Sequence, residues 1–134
     1  MKNAVFAVSL FLLHSSSLHG AVNPSCKAGA PDASLVRVHG RLNVYDGGYP
    51  NLRLWQIGSK HLFGIYSDPA DFLCGRGTAC EDDGDPKLPG DLIHLNLLES
   101  TVYGDFEIRL LEPLKPGHMQ AACIVEAEHL VIQR

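Results

Sequence analysis

Positive charge is scarce in this sequence. Its 134 residues include 11 Lys and Arg against 15 Asp and Glu, which gives a formal net charge of −4 at pH 7. Proteins that bind nucleic acid gain much of their affinity from Lys and Arg side chains that neutralise phosphates. The acidic balance therefore argues against nucleic acid as a partner.

Long apolar runs are absent after the N-terminus. The one extended run, 4–13, follows Lys2 and comes before a polar stretch and the small residues Gly20 and Ala21. This order of regions is typical of a secretory signal peptide, and the run is shorter than the about 20 residues that cross a bilayer. We therefore predict a signal peptide at 1–20, a periplasmic or extracellular location and no membrane span in the mature chain. A buried N-terminal helix is the alternative.

Motifs of the common catalytic sites are also absent. The sequence contains no G-x-S-x-G, no P-loop and no G-x-G-x-x-G, and its histidines form neither H-E-x-x-H nor H-x-H. The acidic stretch 81–85 departs from the spacing of a calcium-binding EF-hand loop. These absences favour a binding protein over an enzyme, and they predict neither a cofactor nor a metal site.

Cysteines are present in an even number. The four are Cys26, Cys74, Cys80 and Cys123, and such a set in a small exported domain is typical of disulfide bonds. Cys74 and Cys80 lie in one glycine-containing loop and can close a small ring, which leaves Cys26 to join Cys123. We predict these two pairs, while the other pairings and a buried, unpaired Cys123 remain open.

Alternation of apolar and polar residues predicts a mostly β domain over 35–134, after an extended N-terminal arm at 21–34. The clearest strand is 35–44, in which alternate residues are apolar and Gly40 interrupts the apolar face. Gly104 lies at a similar inward position of a later strand, so two backbones are expected to approach closely there. The other predicted strands are 52–57, 61–66, 101–111 and 118–127.

A long loop and a short helix are predicted between the third and fourth strands. The loop covers 67–90, and the helix covers 91–100, with Asp91 as its N-cap and a strand as the alternative. The order of elements, with a bent first strand, is that of the OB-fold. We therefore predict a small OB-like five-stranded antiparallel barrel with one short helix between strands 3 and 4. Another small antiparallel barrel or sandwich is the alternative.

Several segments resemble a group of small exported bacterial proteins of unknown function. They are VHGRL at 38–42, LRLWQIGSK at 52–60, YGDF at 103–106 and PGHMQ at 116–120, so that the likeness covers about residues 35–132. The resemblance implies a bacterial envelope protein and supplies no activity, ligand or catalytic residue.

Basic and aromatic residues alternate on and before the second and third predicted strands, the part of an OB-fold that binds ligands. The predicted ligand-binding residues are Tyr45, Tyr49, Arg53, Trp55 and His61. We predict a binding or interaction module for an envelope protein, a peptide or a glycan, with core packing and solvated charge as the other roles of these residues. The alternatives are a small hydrolase-like enzyme with His, Glu and Asp groups at the barrel mouth, or a structural component of the envelope.

Overall fold

The computed structural model describes four parts of the chain, Cys26 and residues 34–45, 50–66 and 88–134. The predicted signal peptide, Tyr49, the acidic stretch 81–85 and the Cys74–Cys80 pair lie outside these parts. Within the described residues, no helix has the length and apolar character that crossing a membrane requires.

One mixed sheet of five strands forms the described fold, which confirms a mostly β domain. The strands are β1 Leu35–Val44, β2 Leu52–Gln56, β3 Leu62–Ile65, β4 Thr101–Leu110 and β5 Gln120–Gln133. They are hydrogen-bonded in the order β1-β2-β3-β5-β4, and β4 also pairs with β1, so that the sheet closes on itself.

The predicted wholly antiparallel arrangement is wrong at one pairing. β3 and β5 run parallel, whereas the other four pairs are antiparallel. Parallel neighbours need a long crossover connection, and here the chain between β3 and β5 includes the whole of β4. Alternation within a strand says which face is buried and does not say which strand lies beside it.

The predicted helix at 91–100 is wrong beyond its first turn. The structure has a 3-10 helix, Gly90–His94, followed by turns up to β4. Leu92 is fully buried in this helix, whereas Ile93 and Leu98 are exposed. A short helix depends on packing of one apolar face, and this segment buries too few side chains on one side to continue.

β1 has the alternation that its sequence predicts. Val38 and Leu42 are almost fully buried in the core, whereas Arg37 and His39 point outward and are exposed. β1 also pairs with β2 on one side and with β4 on the other. Its outward side chains therefore lie in the middle of a three-strand surface.

Gly40 and Gly104 lie directly opposite each other in the β1–β4 ladder. A Cβ atom at Gly40 would lie 2.6 Å from Leu54 Cδ1, and one at Gly104 would lie 2.7 Å from Leu130 Cδ2. Backbone oxygens also lie within 3.0 Å of both positions. The predicted close approach of backbones is confirmed by these oxygens, and two leucine side chains fill the remaining space that the Cβ atoms would need.

A single apolar core fills the inside of the sheet. Its largest fully buried side chains are Phe106, Leu42, Leu54, Leu92, Ile108 and Ile124. A smaller cluster of Cys26, Cys123 and Val125 is separate from it. Cys26 and Cys123 are joined by a disulfide with Cα atoms 5.8 Å apart, which is the pairing that the sequence predicts.

β5 departs from the strict alternation that its sequence suggests. Its register against β4 shifts twice, once between the pairs at Glu107 and Ile108 and once between those at Tyr103 and Asp105. At each shift β5 contains one extra residue, a β-bulge, which changes the face that later side chains share. The strand predicted at 118–127 therefore does not alternate without interruption, and the observed strand continues to Gln133.

A cation–aromatic cluster and a carboxylate–histidine cluster

Trp55 lies on the outward face of β2 and is not a core residue. It pairs with Arg41 of β1, whose guanidinium carbon lies 5.6 Å from the centroid of the indole ring. The indole Nε1–H donates a hydrogen bond to the backbone oxygen of Ser59, at 3.1 Å. These contacts fix the ring in orientation while 40% of the residue stays exposed.

Tyr45 contacts two arginines. The Arg53 guanidinium carbon lies 5.3 Å from the centroid of the phenol ring, and Nη2 of Arg41 donates a hydrogen bond to the phenol oxygen, at 3.3 Å. We call Arg41, Tyr45, Arg53 and Trp55 the cation–aromatic cluster. The structure thus brings together three of the predicted ligand-binding residues and adds Arg41, which the prediction missed.

His61 does not join this cluster. Its ring stacks on that of Phe63 with centroids 4.2 Å apart, and Phe63 is buried in the core. Leu62 is the residue that pairs with Trp55, so the two positions beside it point to the opposite face. The alternation within β3 therefore assigns His61 to the edge of the core, where its Nε2 atom is buried without a hydrogen-bond partner.

A second cluster on the outward face joins β1, β4 and β5. Nδ1 of His39 lies 2.8 Å from Oδ1 of Asp105, and Nδ1 of His129 lies 2.9 Å from Oδ2 of the same carboxylate. The hydrogen bonds with His39 and then with His129 lower the pKa of Asp105 below its ordinary value of 3.8. We call these three residues the carboxylate–histidine cluster.

His129 owes its position to a β-bulge. Its φ of 53° lies in the left-handed region, which is uncommon for a residue other than glycine and costs about 1–2 kcal/mol. The prediction missed His129 because it placed the end of the last strand at 127. The contact between His39 and Asp105 could have been found, since pairing Gly40 with Gly104 in an antiparallel ladder places these two opposite each other.

Both imidazoles of the carboxylate–histidine cluster are largely exposed. The exposed side-chain fraction is 62% for His39 and 78% for His129, and Arg37 forms an ion pair with Glu128 beside them. No set of three or more His, Cys, Asp or Glu side chains within the described residues is arranged to hold a metal ion.

Comparison of the chain with protein-family models, curated proteins and solved structures gives no match.

Proposed function

We propose that this protein is an exported binding module that holds its ligand on the cation–aromatic cluster. The observation that carries the proposal is Trp55, a large aromatic side chain fixed by Arg41 and by Ser59 and still exposed. A few residues supply most of the affinity of a protein interface, and Trp, Tyr and Arg are enriched among them. Here all three types meet within one cluster.

The fold supports the same assignment. A closed order of β1-β2-β3-β5-β4 with a 3-10 helix before β4 agrees with a barrel of the OB type, in which ligands bind across strands 2 and 3 and the adjoining loops. Arg53 and Trp55 are on β2, and Tyr45 follows β1. Export to the periplasm or beyond is supported by the N-terminal pattern and by the Cys26–Cys123 disulfide.

The test uses the fluorescence of Trp55, which is the sole tryptophan of the chain. The protein with its disulfide intact is titrated with panels of peptides, envelope glycans and single-stranded oligonucleotides. We expect a peptide or a glycan to change the emission in a saturable manner, and we expect Arg53→Gln to lower the affinity for that ligand. A matched control, Leu114→Ala, removes an exposed apolar side chain outside the cluster and should leave binding unchanged. A ligand whose affinity is equal in wild type and Arg53→Gln, without an emission change, would contradict the proposal.

An enzyme is the second candidate, and the carboxylate–histidine cluster is the observation that favours it. Asp105 engages Nδ1 of both imidazoles, which leaves Nε2 of each ring as the atom that can exchange a proton with a substrate. If this is the function, hydrolysis of model esters by the wild type should exceed that by Asp105→Asn. Equal rates in the two proteins would exclude this site as the catalyst of that reaction.

A further inference from the structure

The two arginines of the cation–aromatic cluster lack an ionic partner within the described residues. Arg37, on the same face of β1, forms an ion pair with Glu128, but no described carboxylate pairs with Arg41 or Arg53. Their contacts are instead the hydroxyl and ring of Tyr45 and the ring of a tryptophan. Both guanidinium groups therefore retain a positive charge that no described acid neutralises.

Arg53 also has a hydrogen-bond donor that no described acceptor satisfies. Its Nε atom is shielded from solvent and has no hydrogen-bond acceptor. Nearly all buried donors in native structures have a protein or water partner, so an orphan donor calls for an explanation. An external anion does not reach this shielded atom, but the two Nη atoms of Arg53 are not shielded in this way, and the edge of a guanidinium group formed by its two Nη atoms also matches the two oxygens of a carboxylate.

The acidic residues around the cluster limit how much negative charge a bound ligand can carry. The same outward surface carries four carboxylates on β4 and β5, namely Asp105, Glu107, Glu126 and Glu128, and the chain as a whole has a net charge of −4. A polyanion laid across this surface would meet these like charges. A carboxylate with one charge is therefore favoured over a phosphate monoester, which carries about −1.5 to −2 at pH 7.

Two neighbours of Trp55 on the side away from β1 are apolar. Leu62 pairs with it across the β2–β3 ladder, and Ile57 follows it at the next outward position, 45% exposed. A ligand that covers this patch needs an apolar group near its carboxylate. We propose that the cation–aromatic cluster binds the C-terminus of a peptide or protein, with the terminal carboxylate on Arg41 and Arg53 and an apolar last side chain on Trp55.

This inference rests on the proposed function, because it names the ligand of the same site. The test is an NMR titration of the intact, oxidised chain with acetyl-Gly-Gly-Leu ending in a carboxylic acid and with the same peptide ending in an amide. We expect the acid to shift the Nε–H resonance of Arg53 and the indole resonance of Trp55, and the amide to bind at least about tenfold more weakly, as loss of a charge-assisted hydrogen bond implies. Arg53→Gln should lower the affinity for the acid peptide to the same extent, whereas the control Arg37→Gln should leave that affinity unchanged.

Three outcomes separate this inference from the proposed function. Equal binding of the acid and amide peptides, or equal binding of the acid peptide to wild type and Arg53→Gln, would overturn the inference. Glucuronate that binds at Arg53 more tightly than the acid peptide would overturn the peptide as the source of the carboxylate and leave a binding module in place. A panel ligand that quenches Trp55 without needing either arginine would also overturn the inference and support the proposed function alone.

Discussion

Among single residues, Asp105 has the most unusual surroundings on the outward face. Its two carboxylate oxygens each contact a different imidazole, one from β1 and one from β5. Three strands are thereby joined through one side chain on the surface. The contact lies in water, so its energetic value depends on the charge of the carboxylate and is screened by salt.

The first prediction concerns acid stability. The pKa of Asp105 is lowered in the folded chain by the hydrogen bonds with His39 and His129, so its stabilising contribution is complete above the ordinary value of 3.8 and is lost as the pH falls through the lower, folded value. Asp105→Asn should therefore be less stable than wild type at neutral pH, and the difference should shrink below pH 3.8. Urea unfolding of both proteins over this range measures it. A constant difference at every pH would show that the charge of Asp105 does not contribute.

At the scale of strands, β1 and β5 show what a sequence pattern can and cannot predict. β1 alternates without a break, and its predicted bounds agree with the observed Leu35–Val44. β5 contains two bulges, which arise from its fit to β4 and leave no mark in its own sequence. The pattern of a single strand also does not predict the parallel pairing of β3 with β5, because the neighbours of a strand depend on how the whole sheet closes.

The residues of the candidate site likewise divide into those that alternation predicts and those that depend on strand pairing. Arg53, Trp55 and Tyr45 were predictable because alternation places the first two outward on β2, and Tyr45 directly follows β1, whose last residue pairs with the first residue of β2. Alternation also puts His61 on the face opposite to Trp55, so its separation from the cluster could have been predicted. Arg41 joins the cluster only through the β1–β2 register, and His129 only through a bulge, and neither register nor bulge could be predicted from one strand alone.

The second prediction tests the bulge at His129. Glycine adopts the left-handed conformation of this residue without strain, whereas alanine keeps a cost of about 1–2 kcal/mol. Both His129→Gly and His129→Ala lose the contact with Asp105, so they form a matched pair. We expect the glycine variant to be more stable than the alanine variant by about that amount in urea unfolding. An alanine variant as stable as the glycine variant would mean that the backbone is not left-handed at this position.

At the scale of the whole molecule, the disulfide and the closed sheet hold the two ends of the described chain together. Cys26 comes before β1 and Cys123 lies in β5, with a sequence separation of 97. A bond that closes so long a loop restricts the unfolded chain strongly, and its loss typically costs about 2–5 kcal/mol. The bond also adds a small buried cluster on the far side of β5.

The third prediction concerns this bond. Cys26→Ser combined with Cys123→Ser should lower the free energy of unfolding by about 2–5 kcal/mol. Cys74→Ser combined with Cys80→Ser is the matched control and should cost less, because the ring that these two cysteines are predicted to close is short. Mass spectrometry under non-reducing conditions should find Cys26 joined to Cys123 and Cys74 joined to Cys80. A peptide that links Cys74 to Cys26 would contradict both the pairing and the account of the fold.

The fourth prediction addresses the role of Trp55, on which the account of function depends. Once a ligand has been identified, its affinity for Trp55→Ala and the melting temperature of that variant are measured side by side. Because Trp55 is 40% exposed and lies on the outward face, away from the core, we expect a loss of affinity of tenfold or more, about 1.4 kcal/mol, with little change in melting temperature. Unchanged affinity together with a large fall in melting temperature would show that Trp55 stabilises the fold and does not bind the ligand.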